Sequence, residues 1–509
     1  MLKITIIMFL FLFTLPFMTA LAWIFPFLRH VYFAAMVYFT CEEYSFNIMT
    51  MMDWKGTARA YTFTAVYLFA IPLFMSMVID WKTKVRFFPP GSFFYLLYYL
   101  AVLISGVNAL YMHQWGFEVY KMFWMYFVFL AAFNYLNNCK DLIFPIYLVC
   151  IILIYLFLIG FDQKYRLGAL QVRSTFAHQN SLALYLELFG LLSFGVLLNE
   201  RISKLLFCLC MFAFGSSVLL ILFTYSRGAL IIYLGGIAIV SAASILFNGF
   251  SIRRLTLLLI GMIVMLCVVG YALPSIIKRF NGASPASKNT RIALALAAKE
   301  MANDYRLGIG TNHFSEYSGN KYHYTFKTEY NFAPREEKGG IVETIYMLVA
   351  AECGWYGLGF LLLWFIYYYL SIIISMFVLR KKPCSGIVIG LFGSLTCIYW
   401  HSTLEWSLKQ PNNFSEQMII YGLVAAIAVN RKKITAAYQR RLAWEAKQDN
   451  NRKKKDEKIM ASQYSLPLLP GRQFMLSVDN NKLNKPIPSR EPADTDLESS
   501  DTDTQNRQG

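Results

Sequence analysis

Long apolar runs alternate with short polar segments over residues 1–430. Each run has about 17–25 residues, the length that an α-helix needs to cross ~30 Å of hydrocarbon. The predicted spans are 4–25, 60–79, 92–111, 117–135, 143–161, 181–198, 204–223, 228–248, 255–275, 345–378, 386–402 and 416–430. Residues 31–40 are apolar but short, which fits a continuation of the first span or an interfacial piece. The pattern predicts an all-α polytopic membrane protein with about twelve transmembrane helices.

The charges in the short segments orient these spans. Basic residues concentrate at 80–86, 201–204, 253–254, 380–382 and in the tail from Arg431. Counting crossings puts all of them on one side, which the positive-inside bias makes cytoplasmic, with both termini on that side. The opposite face then carries 41–59, 112–116, 162–180, 224–227, 403–415 and a large polar loop, 276–344.

Composition narrows the class of protein further. With 57% hydrophobic and only 15% charged residues, the chain does not suit a soluble domain. Its net charge of +17 lies in the loops and the tail, so we expect no nucleic-acid partner. Most of the nine cysteines sit in apolar runs without zinc-like spacing, so we expect no metal.

After residue 430 the composition changes. Residues 431–458 are strongly basic and suit a surface near anionic lipid headgroups, while 459–509 are rich in Pro, Ser, Asp, Asn and Gln and are predicted to be disordered. The sequence therefore divides into a membrane domain, 1–430, and a cytoplasmic tail, 431–509.

Several arginines fall on the face that the orientation bias disfavours. They are Arg166, Arg173, Arg227, Arg279, Arg291, Arg306 and Arg335. Any one of them can simply snorkel to the interface, but ionisable groups at membrane edges tend to mark functional sites. A guanidinium binds phosphate oxygens in a bidentate manner, so Arg173, Arg227 and Arg291 are candidates for binding phosphate or pyrophosphate.

The same face carries possible proton acceptors. They are His178, His313, His323, Glu316 and Glu343, with His401 and Glu405 in another segment. A general base beside an arginine-bound pyrophosphate would help an acceptor hydroxyl to attack. The Gly308-Ile309-Gly310 stretch follows no predicted strand, so we interpret it as a tight turn and not as a nucleotide-binding loop.

Several of these segments, in this order, resemble motifs of one family. The segments are Arg173-Ser174-Thr175-Phe176-Ala177-His178-Gln179-Asn180, Ser226-Arg227-Gly228, Arg291 followed by 304–314, 342–357, and 401–414. Together they are similar to the O-antigen ligase/polymerase superfamily of bacterial membrane glycosyltransferases. The resemblance covers about residues 40–430.

The resemblance implies a function. The donor would be a glycan on undecaprenyl pyrophosphate, and the acceptor would be lipid A core or another glycan, at the periplasmic face of the bacterial inner membrane. Arg227 and Arg291 would bind the pyrophosphate, with Arg173 as a further candidate and no cofactor required. The motif positions that would contact substrate also include His178, Asn180, Asn312, His313, His401 and Glu405.

The chain departs from the family at one important place. The family's His-Asn pair, whose His serves as base or positions the acceptor, falls on Glu343-Thr344. Three interpretations are open: Glu343 is the base, another histidine such as His313 or His323 replaces it, or the chain is a divergent member with altered or lost activity.

Other functions remain open at this stage. The motifs do not separate ligases from polymerases or protein glycosylation enzymes, although the matches at 350–357 and 401–414 favour a ligase. A transporter should carry charged residues near the middle of the bilayer, and Glu187 is the main residue of that kind within a predicted span. A scaffold that docks through its basic tail is a third possibility.

Overall fold

The computed structural model describes residues 9–139, 142–259, 285–324 and 340–464, with the single residues 5, 261, 263 and 270. The chain divides into two units, Met1–Leu442 and Ala443–Gly509. In its described part the second unit is helical up to Tyr464, past residue 459, where the sequence predicts the start of disorder.

The described part of the chain is mostly helical. The helices are α1 (Leu15–Ile24, preceded by a π-helical stretch, Leu10–Thr14), α2 (Leu28–Tyr38), α3 (Ala65–Ile79), α4 (Ser92–Ser105), α5 (Met112–Asn138), α6 (Phe144–Tyr165), α7 (Gln179–Asn199), α8 (Lys204–Thr224), α9 (Arg227–Asn248), α10 (Pro285–Asp304), α11 (Phe314–Asn320), α12 (Ile345–Val378), α13 (Ser385–His401) and α14 (Pro411–Tyr464). Short 3₁₀ turns occupy Phe39–Cys41, Gly106–Asn108 and Ser407–Lys409.

Six of these helices, α5, α6, α7, α8, α9 and α12, are long and apolar enough to cross a membrane. Four shorter apolar stretches accompany them, at Leu10–Ile24, Ala65–Ile79, Ser92–Asn108 and Ser385–His401. The fold is therefore that of a helical membrane protein. The count of about twelve spans and the periplasmic side of the 276–344 loop stay predictions, and the predicted span at 255–275 lies largely outside the described residues.

A small β-hairpin corrects the all-α prediction. Strands β1 (Ser45–Ile48) and β2 (Tyr61–Thr64) pair antiparallel, with Ser45 opposite Thr64 and Ile48 opposite Tyr61. The predicted span at 60–79 begins too early, because Tyr61–Thr64 form β2 and the helix begins only at Ala65. Alternating aromatic residues and threonines favour an extended strand. Because Tyr61–Thr64 run directly into the apolar residues of the next helix, the sequence pattern does not separate the two elements.

A bend explains why the run at 345–378 is too long for one crossing. Gly354 interrupts helical geometry with φ 73° and ψ 174°. A Cβ at this position would lie 2.1 Å from the Arg306 carbonyl oxygen, so only glycine fits. The Ile309 N–H donates to the Ala351 carbonyl at 3.0 Å. The predicted Gly308–Gly310 turn thus docks against the bend.

Helix α7 occupies the centre of the bundle. Its residues 181–198 are all buried, and it packs against α8, α9 and α13. Such a helix is apolar all round because every face meets protein. Its Glu187 is consequently buried inside the molecule.

Basic residues from separate segments meet at one end of the bundle. Arg253 donates to the Leu197 carbonyl at 2.9 Å, and Arg380 donates to the Phe247 carbonyl at 2.8 Å. These contacts lie at the C-terminal ends of α7 and α9. The first turns of α7 and α9 are about 30 Å away at the other end, which we call the cleft end.

Candidate functional site

A polar cleft of about 830 Å³ opens at the cleft end. Its walls come from segments that lie far apart in the sequence. Among the described residues, Lys55, Arg59, Arg227 and Arg291 bring positive charge to it, and Glu343 and Glu405 bring negative charge. The cleft is therefore charged, open and rich in cations.

Two helix N-termini face this cleft. Helix α7 begins after His178, whose ring Nδ1 caps the helix by accepting the Asn180 N–H at 3.2 Å. Helix α9 begins at Arg227, immediately after Ser226, and residues from both first turns line the cleft. First-turn N–H groups have no partner within their helix and favour anions. The helix N-termini and the cationic side chains of the cleft therefore both favour an anion.

A tight reversal of the chain places Arg227. Helix α8 ends at Thr224, and Tyr225 takes a left-handed conformation with φ 52°. The Ser226 N–H then donates to Thr224 Oγ1 at 3.2 Å. The reversal sets the half-buried Arg227 side chain at the mouth of the cleft, on the first turn of α9.

Arg291 lies between two carboxylates. Its Nε forms an ion pair with Glu343, and its Nη2 lies 3.6 Å from Glu405 Oε1. Asn180 donates a hydrogen bond to the same Glu405 oxygen. The group joins α10, the segment before α12, the segment after α13 and the start of α7. The side chains of Arg291, Glu343 and Glu405 are 46%, 32% and 15% exposed, so the group is accessible from the cleft.

Both carboxyl groups have raised pKa values. Partial burial raises the pKa of Glu343, even though Arg291 opposes the shift. Burial and then the neighbouring charge of Glu343 raise the pKa of Glu405 to about 7. Two nearby carboxylates titrate as a coupled pair, so this pair can take up or release a proton near neutral pH.

His401 enters the cleft wall from the end of α13. Its Nδ1 lies 2.8 Å from Glu187 Oε1, and both side chains are almost fully buried. The Glu187 contact fixes the orientation of the imidazole ring. Glu187, the charged residue that bears on the transporter hypothesis, therefore supports a residue of the cleft.

The structure does not bring every predicted residue to this cleft. Of the candidates, Arg227, Arg291, Glu343, His178, Asn180, His401 and Glu405 line it. Arg173 is exposed elsewhere and donates to the Ala177 carbonyl at 3.2 Å. Arg279 and Arg335 lie outside the described residues.

Asn312 and His313 are buried away from the cleft and hold backbone in place. The Asn312 side-chain amide donates to the carbonyls of Ala58 and Gln114, both at 2.8 Å. His313 accepts the Tyr111 N–H at its Nε2, at 3.1 Å, and burial lowers its pKa. Both residues therefore act as anchors between segments.

The remaining predicted bases also lie elsewhere. His323 is exposed, and Glu316 accepts a hydrogen bond from Asn320 at 2.6 Å. Neither lines the cleft. Of the carboxylates and histidines named as possible bases, those at the cleft are Glu343, Glu405, His178 and His401.

A buried polar junction lies at the same end of the bundle. It consists of two ion pairs, Glu118 with Lys121 at 2.7 Å and Glu352 with Lys409 at 2.6 Å. Lys121 also donates to the Lys409 carbonyl at 2.8 Å, which joins the pairs. The junction ties α5, α12 and the Ser407–Lys409 turn together.

Sequence reasoning missed two cations of the cleft, Lys55 and Arg59. They belong to the loop between β1 and β2 and match no motif. A signal was nevertheless present, because both lie in the 41–59 segment on the face where the orientation bias disfavours cations. The argument that selected Arg227 would have found Arg59 if applied to every arginine of this face, and Lys55 if applied to lysines as well.

The described residues contain no group of three His, Cys, Asp or Glu side chains placed to hold a metal ion. The chemistry that the cleft can support is anion binding beside a proton acceptor. Neither a protein-family model nor a curated protein sequence matches this chain.

Proposed function

We propose that this chain is a membrane glycosyltransferase of the O-antigen ligase type. It would move a glycan from undecaprenyl pyrophosphate to an acceptor hydroxyl, at the periplasmic face of a bacterial inner membrane and with both termini cytoplasmic. One observation carries the proposal: Arg227, Arg291 and Glu343, selected from separate segments of the sequence, line a single cleft.

The cleft suits a pyrophosphate on a lipid carrier. Arg227 sits on the first turn of α9, where a guanidinium and the backbone N–H groups of a helix N-terminus can bind the same phosphate. Arg291 adds positive charge beside the carboxylates. Helices α7 and α9, whose first turns line the cleft, are long and apolar enough to cross a membrane, which supports a ligand that combines a charged headgroup with a lipid chain.

In the proposed reaction the acceptor oxygen attacks the donor's anomeric carbon. The new carbon–oxygen bond forms as the bond to the pyrophosphate oxygen breaks, and the electron pair leaves with undecaprenyl pyrophosphate. The hydroxyl proton passes to Glu343. Direct attack inverts the configuration at the anomeric carbon, and the cleft's cations stabilise the charge on the leaving group.

The geometry favours Glu343 as the base over the histidines first considered. Glu343 lines the cleft, has a raised pKa and lies beside Arg291. His313 has both ring nitrogens engaged in a buried site, and His323 is not at the cleft. A carboxylate with a raised pKa is a stronger base than an ordinary one.

Within the superfamily, the ligase assignment rests on the 350–357 and 401–414 segments. A polymerase would use the same donor and the same pyrophosphate-binding cations, and only its acceptor would differ. The transporter hypothesis drew on Glu187. That residue is paired with His401, so it serves as support for the cleft wall in our proposal.

The experiment is transfer by purified full-length protein from an undecaprenyl-pyrophosphate glycan. The products to measure are glycosylated acceptor and released undecaprenyl pyrophosphate. We expect Arg227→Ala and Arg291→Ala to lower the rate about 100-fold or more. Arg166→Ala, at an exposed arginine paired with Asp162, is the matched control and should keep the wild-type rate. Wild-type transfer by both cleft variants would overturn the proposal.

A further inference from the structure

We infer that Lys55 and Arg59, on the loop between β1 and β2, bind the donor's pyrophosphate together with Arg227, while Arg291 serves to position Glu343 and Glu405. This inference rests on the proposed function and assigns the cations of the cleft to separate tasks. Lys55 and Arg59 are both exposed and both line the cleft.

Buried contacts hold this loop rigidly. The Asn312 side chain forms two hydrogen bonds with the backbone of Ala58: it accepts the N–H at 3.0 Å and donates to the carbonyl at 2.8 Å. Thr57 donates to Glu118 of the buried junction at 2.5 Å. The Trp54 ring is largely buried and packs edge-on against His313. Residues 54, 57 and 58 therefore anchor the loop, and Lys55 and Arg59 are placed at the cleft.

Gly56 shows how closely the loop approaches its anchor. A Cβ at this position would lie 2.1 Å from Asn312 Oδ1 and 2.3 Å from Trp54 Nε1. Only glycine allows that contact. A loop fixed in this way presents its two cations without a large entropic cost on binding, which an ordinary solvated loop does not do.

The carboxylates next to Arg291 already balance its charge. The guanidinium forms an ion pair with Glu343 and lies 3.6 Å from Glu405. An anion that approaches Arg291 also meets these two acidic groups. Lys55 and Arg59 belong to a loop that is separate from the Arg291 group, and both side chains are exposed where the loop lines the cleft. They are therefore placed to meet a pyrophosphate that enters it.

The hairpin also offers an apolar surface, which favours a lipid-linked ligand over an acidic group of the acceptor. Its two strands line a second groove of about 260 Å³, together with Phe11 and Leu68. That groove is almost entirely apolar. One hairpin thus combines cations at its loop with an apolar groove along its strands, and a polyprenyl pyrophosphate has both kinds of surface.

The test uses full-length protein in lipid vesicles and measures binding of undecaprenyl pyrophosphate without any acceptor, followed by steady-state transfer. The variants are Lys55→Gln, Arg59→Gln and the double variant. Lys82→Gln, at an exposed lysine of the 80–86 segment, is the matched control. Because Lys55 and Arg59 are exposed, these substitutions leave the buried anchors intact.

Loss of one charged hydrogen bond corresponds to roughly a ten-fold change in affinity. We expect each single variant to weaken lipid binding and raise the donor KM by about that factor, and the double variant by more, with the acceptor KM unchanged. Arg291→Gln should instead lower kcat and move the acid limb of the pH profile upward, with donor binding retained.

Two outcomes would overturn the inference alone. In one, the variants bind undecaprenyl pyrophosphate as tightly as the wild type. In the other, the acceptor KM rises while the donor KM does not, which would make the loop a site for an acidic acceptor. A wild-type protein that binds no undecaprenyl pyrophosphate would overturn the proposed function itself.

Discussion

The cleft and the buried junction contain the same kinds of charged side chain, but these differ in how far they are exposed to solvent. In the junction, Glu118 and Glu352 each have a lysine within 2.7 Å, and the four side chains are at most 8% exposed. In the cleft, Arg291 is 46% exposed and faces two carboxylates. Pairing with burial is typical of a scaffold, whereas charged side chains that stay in contact with solvent around an open volume are typical of a site for an outside ligand.

The difference follows from the energetics of buried charge. A charge taken out of water is costly unless it is paired and hydrogen-bonded. The junction meets this requirement internally and has no need of a ligand. The cleft leaves charged side chains in contact with solvent, so an anion that enters it can bind to its cations.

The largest predicted effect concerns the buried junction and its role in stability. Lys409→Ala leaves Glu352 buried without its cation, so we expect a loss of about 3–5 kcal/mol in stability. The measurement is the thermal unfolding midpoint of the purified protein in detergent. Lys409→Met combined with Glu352→Gln removes both charges and should cost clearly less. An unchanged midpoint for Lys409→Ala would show that the junction is not a structural element.

The second prediction concerns the cleft and its dependence on pH. The pKa of Glu405 is about 7 in the folded chain, above its ordinary value of 4.5, and that of Glu343 is also raised. Because the two carboxyl groups titrate as a coupled pair, we expect transfer to rise with pH as the pair releases a proton near pH 7, the value for Glu405. The stability that Glu405 contributes should do the opposite, being largest below 4.5 and lost as pH rises through about 7.

Rates and unfolding midpoints measured across pH 5–8 check this prediction. Removing Arg291, whose charge lowers both pKa values, should move the acid limb of the rate profile to higher pH. A rate independent of pH across this range would exclude the carboxylate pair as the proton acceptor.

The smallest predicted effect concerns Arg173, which the sequence placed among the phosphate-binding residues. It is exposed, contacts the Ala177 carbonyl and does not line the cleft. We expect Arg173→Ala to change transfer by less than about two-fold, as for most surface substitutions away from a site. A loss as large as that of Arg227→Ala would mean that the functional site extends beyond this cleft.

The sequence predicted the long helices well, because a run of about 20 apolar residues has few alternatives in a membrane protein. The predicted span at 181–198 corresponds to α7, Gln179–Asn199. The hairpin was missed because Tyr61–Thr64 merges with the apolar run that follows. Its pairing with Ser45–Ile48 depends on tertiary contacts.

The candidate site was predicted in part for equally physical reasons. Arg227 was predicted because a cation on the disfavoured face needs an explanation, and Glu343 because it falls on the position of the His-Asn pair in the family that the sequence resembles. Asn312 and His313 were expected at the site because a polar residue in a polar loop has the same sequence signature whether it anchors backbone or binds a ligand. Hydrogen bonds to the backbone of Ala58, Tyr111 and Gln114 show that both residues anchor backbone. These contacts join distant segments, so the fold is needed to reveal them.

The most direct test of the account is transfer from an undecaprenyl-pyrophosphate glycan by wild type, Glu343→Gln and Glu343→His, all as purified full-length protein. We predict an active wild type and a Glu343→Gln variant at least about 100-fold slower, with unfolding midpoints near that of the wild type. A Glu343→Gln variant that transfers at the wild-type rate would contradict the assignment of Glu343 as base. Activity in Glu343→His alone would contradict the view that this chain catalyses the reaction with the residue it has.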